Sequence, residues 1–196
     1  MTTTRRALIA GIASMAALAA VPARALDGAQ AEAFISEVAE EVTRIVASAG
    51  PGDTRVSEFL ALFRRVAALP QIGRFTLGPT WREMTESQQQ QFLQAFENYA
   101  ARAYTHRIGE YNGQTLVVTG SQDAGQRGIL VNSRLQAPGQ QPIRVDWLVS
   151  DRGGQIQVVD LIAEGVSLSI TQREEFAAML EARRGDIDRF IADLNG

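Results

Sequence analysis

The sequence predicts an α+β fold, with helices, then a curved antiparallel sheet, then helices again, in one domain. Three observations predict it. Apolar residues recur at helical spacing up to about residue 108. From 115 to 163 the apolar period shortens to two, in four runs separated by Gly, Pro, Asp and Ser. After 168 the helical period returns.

The first 25 residues stand apart. Arg5-Arg6 forms a charged start, Ala7 to Val21 an apolar run, and Ala23-Arg24-Ala25 an A-x-A cleavage site preceded by Pro22. Together they make a cleaved secretory signal peptide, with residues 26–196 as the single folded domain. Thr4-Arg5-Arg6-Ala7-Leu8-Ile9 fits a twin-arginine export signal as well as an ordinary one.

Residues 28–49 form the first expected helix, with Phe34, Val38, Val42 and Ile45 on one stripe. Gly50-Pro51-Gly52 stops it. Asp53 is placed to cap a second helix that carries Val56, Phe59, Leu60, Phe63 and Val66, and Pro70 to end it. Residues 71–84 are expected to be irregular. Thr85-Glu86-Ser87-Gln88 is a capping box that opens the longest helix, to about Ile108. Its apolar arc holds two stripes, Phe92, Phe96, Tyr99 and Ala103 beside Leu93, Ala100, Tyr104 and Ile108, and so faces more than one neighbour.

Residues 115–119, 127–135, 142–150 and 155–163 are expected as four strands of a meander. In the third, Ile143, Val145, Trp147 and Val149 share one face, with Arg144, Asp146 and Ser150 on the other. The fourth is apolar on both faces and is expected at the centre of the sheet. Thr171 and Glu174 suggest a second capping box, ahead of a helix that buries Phe176, Met179 and Leu180. A last short helix carries Ile187, Phe190, Ile191 and Leu194.

Composition narrows the chemistry. The chain has no cysteine, so it offers neither a disulfide nor a lipid-attachment thiol. All 19 basic residues are arginine. Loss of Arg5, Arg6 and Arg24 with the signal leaves 16 arginines against 22 acidic residues, a charge of −6. That disfavours nucleic acid as a partner. One histidine, His106, cannot build a two-histidine metal site, and a surface place near a helix end suits it. Gly165-Val166-Ser167-Leu168-Ser169 lacks the second glycine of a nucleophile elbow. Asp160 is either a ligand-orienting or catalytic carboxylate, or a buried acid paired with an arginine such as Arg144 or Arg173. In Glu164-Gly165 the glycine supplies a backbone angle that other residues avoid. The apolar face of the sheet is compatible with a filled core or with a lined cavity.

One further pattern carries a resemblance. It comprises Phe75-Thr76-Leu77-Gly78 with Trp81, the Thr85–Gln88 box with Phe92, Phe96 and Tyr99, then Tyr104, Ile108 and Tyr111, and Val145-Asp146-Trp147. It ends in Val158-Val159-Asp160, Glu164-Gly165-Val166-Ser167 and Gln172-Arg173 with Phe176, the most specific group. Over about residues 30–195 the chain resembles the MlaC, or toluene-tolerance Ttg2D, family of periplasmic phospholipid-binding proteins, close to a hopanoid-associated branch.

The resemblance implies an NTF2-like fold, a curved four- to five-stranded antiparallel sheet wrapped by helices around an apolar lipid cavity. It implies a periplasmic carrier that shuttles phospholipid for outer-membrane lipid asymmetry. The partners it implies are an inner-membrane ABC transporter complex with an MCE-domain protein and an outer-membrane lipoprotein–porin complex. No cofactor, metal or catalysis is implied, and a monomer suffices. Alternation then nominates Val118, Ile129, Val131, Val145, Trp147 and Val158 from the sheet as tail contacts. Phe75, Leu77, Trp81, Phe92, Phe96 and Tyr99 would close the other side. The alternatives are a carrier of hopanoid or another polycyclic lipid, an enzyme on the same scaffold using Asp160 with Glu164 or Tyr104, and an adaptor that binds only proteins.

Overall fold

The computed structural model describes residues 26–47, 52–108 and 113–195. The leader, Gly50-Pro51 and Tyr111 lie outside the described residues, as do the side chains of Asp53, Tyr104, His106 and Ile108. Helix α1 spans Gly28–Ala47, α2 Gly52–Val66, α3 Leu69–Leu77 and α4 Glu86–Ile108. The strands are β1 Thr115–Asp123, β2 Ile129–Gln136, β3 Ile143–Ser150, β4 Gln157–Ala163 and β5 Val166–Ser167, and they are followed by α5 Leu168–Ala182 and α6 Ile187–Asn195. The sheet is an antiparallel meander in chain order, β1 to β5.

Reciprocal capping starts two helices. Asp27 accepts from the Gln30 amide at 2.9 Å while the Gln30 side chain accepts from the Asp27 amide at 3.1 Å. At α4, the Gln88 N–H donates to the Thr85 hydroxyl at 3.2 Å and the Thr85 N–H to the Gln88 side chain at 3.0 Å. The buried stripe of α1 is Ala31, Ile35, Val38, Ile45 and Val46, with Phe34 and Val42 half-buried beside it.

Five expectations need correction. Residues 69–77 form a helix, α3, in place of an irregular stretch, and a 3-10 turn follows over Gly78–Arg82. Pro70 lies in the first turn of α3, where the missing N–H costs nothing, so it starts a helix and does not end one. α5 opens three residues before Thr171, capped by Ser167, whose hydroxyl accepts from the Ile170 amide at 3.1 Å. Thr171 is inside the helix and donates back to the Ser167 carbonyl at 3.0 Å.

The other two concern β4. It is next to the end of the sheet, flanked on its outer side by the two-residue β5 and by a parallel bridge from Ala67 to Val158. On that edge the Ala68 N–H donates to the Val158 carbonyl at 2.9 Å. A register shift opposite Leu148/Val149 then breaks its alternation, since Val158 pairs with Val149 but Asp160 with Leu148 and Leu161 with Trp147. Such a bulge re-aims the residues after it, so Val158 and Leu161 both turn inward.

Three apolar clusters hold the fold. The largest centres on Phe92, Phe96, Phe176 and Phe190 between α4, α5 and α6. Phe176 meets Phe190 edge-on at 5.2 Å, and Phe92 stacks on Phe96 at 5.8 Å. A second packs Ala31 and Ile35 of α1 on Ile129, Val131, Val149 and Val158 of the sheet. A third joins α1 to α2 through Val38, Ile45, Leu62 and Val66. The opposite sheet face is polar. There Asp146, 2% exposed, accepts from Asn132 at 2.9 Å and from the Arg144 guanidinium at 2.6 Å. The hydrogen bond and the charge of Asp146 raise the Arg144 pKa.

Candidate functional site

Between these clusters the helices do not close onto the sheet. A cavity of about 440 Å³ remains, within the range of small-molecule sites. α1 contributes Val38 and Val42, and α2 contributes Phe59, Leu62, Phe63 and Val66. Leu69 and Ile72 come from α3, and Phe96, Tyr99, Ala100 and Ala103 from α4. Trp147, Val158 and Leu161 form the sheet side. Ala67, Ala100 and Ala103 bring only methyl groups to this wall, which leaves room that larger side chains would fill.

The sheet side is held firmly. The Trp147 indole N–H donates to the Ser133 hydroxyl at 3.0 Å, and that hydroxyl donates to the Val145 carbonyl at 2.5 Å. The indole's polar edge is thus satisfied within the sheet, and Trp147 contributes to the cavity wall.

Among the described residues, apart from the Tyr99 phenol, polar side chains enter the lining from β4 and the first turns of α5: Asp160, Ser169, Thr171, Gln172 and Glu175. Asp160 has neither expected arginine. Its carboxylate accepts from the Ser167 hydroxyl at 2.6 Å and from the Ser169 and Leu161 amides at 3.0 and 2.9 Å. Arg144 is engaged by Asp146, and the Arg173 guanidinium lies 5.5 Å from the Phe75 ring centre. Asp160 therefore fastens the start of α5 to β4. The corner between them is tight: Glu164 and Gly165, with φ of 50° and 84°, form the two-residue turn from β4 to β5. Glu164 fits this strained angle because its carboxylate accepts from the Arg144 amide and its N–H donates to the Arg144 carbonyl at 3.0 Å.

Four of the twelve nominated residues line this cavity: Phe96, Tyr99, Trp147 and Val158. Leu77 and Phe92 belong to the aromatic cluster, and Trp81 packs edge-on against Phe92 at 6.3 Å. Phe75 is 42% exposed on the outer side of α3. Ile129, Val131 and Val118 lie in the cluster under α1, and Val145 is buried away from the opening. The residues of α1 and α2 and Leu161 were not nominated. Their stripes are visible in the sequence, but a stripe records burial and not whether the space it faces is filled.

The comparisons with known proteins agree with this geometry. A phospholipid-binding protein from Ralstonia solanacearum, solved in complex with a phospholipid, superimposes with a TM-score of 0.70. The match covers 85% of this chain and 99% of that one at 21% identity, and it shows a shared fold. Toluene tolerance protein ttg2D of Pseudomonas putida is 25% identical over 111 residues, 56% of this chain. That stretch is 51% of the relative, so the chain spans about half the length of the curated protein it matches. The model of the MlaC protein family matches residues 18–196, nearly the full length. The chain belongs to the MlaC family.

Proposed function

We propose that this protein is a periplasmic lipid carrier that holds acyl tails in the cavity between α1, α2, α4 and the sheet. The observation that carries the proposal is the lining itself, apolar on every side except the rim made by β4 and α5. An apolar cavity of 150 Å³ accommodates benzene, about 25 Å³ per carbon, so about 440 Å³ holds on the order of 18 carbons, or one long tail. A second tail has to widen the space between α2 and the sheet. Phe96, Tyr99, Trp147 and Val158 are the proposed contacts from the nominated set, joined by Val42, Phe63 and Leu161.

The energetics suit a carrier. Each buried CH₂ is worth about 0.8 kcal/mol, so two tails of roughly 16 carbons represent on the order of 25 kcal/mol. Free passage through water is negligible, and enclosure of the tail is the main requirement. Among the described residues no helix is long and apolar enough to cross a membrane. We extend the proposal to an exported mature chain, without its first 25 residues, that shuttles phospholipid between outer- and inner-membrane complexes and performs no catalysis.

The test is transfer of radiolabelled phosphatidylcholine between donor and acceptor vesicles. Transfer should rise in proportion to added protein and fall in a Leu161→Trp variant. A rate equal to the protein-free control would contradict the carrier function. Faster transfer of a hopanoid than of phospholipid would keep the carrier and change its cargo.

A further inference from the structure

We infer that the cavity rim selects against anionic head groups and favours lipids whose head is net neutral and carries an ammonium group. This rests on the carrier proposal and specifies its cargo. The rim has two carboxylates, Asp160 and Glu175, and no cationic side chain lines the cavity among the described residues. Neither carboxylate has a cationic partner there. Asp160 is bonded to Ser167 and to two backbone amides, and Glu175 accepts only from the Gln172 side chain, at 3.0 Å.

Among the described residues, most arginines on the framing helices are engaged elsewhere. Arg64 and Arg65 of α2 pair with Glu97 and Glu41. Arg74 of α3 lies over Trp81, and Arg173 of α5 over Phe75. Arg102 of α4 donates to the Leu194 carbonyl. Arg55 of α2 does not line the cavity.

The N-terminus of α5, otherwise a natural seat for a phosphate, is already filled. The Ser169 amide donates to Asp160 and the Ile170 amide to Ser167. A lipid phosphate at this rim meets carboxylates and spent amides. An ammonium group offsets that repulsion, and a glycerol head cannot.

The test uses delipidated protein equilibrated at low salt with vesicles equimolar in phosphatidylethanolamine and phosphatidylglycerol of matched tails. Native mass spectrometry then counts the two adducts. Phosphatidylethanolamine should exceed phosphatidylglycerol by about threefold or more, and the preference should shrink in 1 M salt. Glu175→Gln should weaken the preference and Glu175→Arg should erase or invert it. Glu175 is exposed and holds only a side-chain contact within α5, so both variants should fold. Equal loading, or a phosphatidylglycerol excess in the unmutated protein, would overturn the inference and leave the carrier function standing. A preference unchanged in both Glu175 variants would overturn the rim as its cause. No adduct of either lipid would overturn the carrier function itself.

Discussion

The Ser167 hydroxyl donates a 2.6 Å hydrogen bond to the Asp160 carboxylate, and the same Ser167 oxygen caps α5. One side chain of β4 thereby fixes the start of the helix that forms the polar rim of the cavity. Replacement of Asp160 by Ala removes three hydrogen bonds and leaves the Ser169 amide unpaired. The expected cost is about 2–3 kcal/mol, and Asp160→Asn should cost less because one acceptor oxygen survives. Urea denaturation checks this, and a loss under 0.5 kcal/mol in the Ala variant would contradict it.

Wall and core positions should respond differently to bulk. Leu161 is half-buried on the cavity wall, so Leu161→Trp should fill the space, lower bound lipid and leave the melting temperature nearly unchanged. Val131 is fully buried in the cluster under α1, where Trp has no void to enter. Val131→Trp should therefore destabilise the fold by about 1–3 kcal/mol or more. Thermal melting with lipid extraction separates the two.

Gly128 precedes β2 with a φ of 118°, and a Cβ there would lie 2.0 Å from the Val149 carbonyl oxygen. Both the backbone angle and the close approach require glycine. Gly128→Ala should cost on the order of 3 kcal/mol or prevent folding, whereas Gly139→Ala, with open space around it, should carry only the backbone strain of about 1–2 kcal/mol. Similar losses in the two would contradict the close contact.

On the polar face, Asp146→Ala should leave Asn132 and Arg144 without their shared acceptor. Because the Arg144 side chain is 60% exposed, solvent replaces much of its lost partner. The expected loss is about 1–2 kcal/mol, less than that of a fully buried ion pair. Chemical denaturation measures it, and a loss above 4 kcal/mol would show a deeper role for Asp146.

Much of this architecture is legible in the sequence because it rests on local signals. The Thr85–Gln88 box and the Phe190, Ile191 and Leu194 stripe depend on residues three or four apart. Where the chain departs from its expected course, the cause is tertiary. Pro70 has the same identity at the end of one helix as in the first turn of the next, and only the fold decides. The bulge before Asp160 depends on the β3 partner and moves Leu161 to the cavity side. Val131 and Val158 look alike in an alternating strand, yet one lies beneath α1 and the other also borders the opening. Periodicity cannot separate them, since the difference lies in what the facing helix fails to fill.

The most direct test of the central claim is native mass spectrometry of the protein purified without detergent, with identification of any bound mass. A stoichiometric lipid adduct that is reduced in Leu161→Trp is the predicted result. An apo mass that persists after incubation with lipid vesicles would contradict the claim and leave the space beside Trp147 as a packing defect.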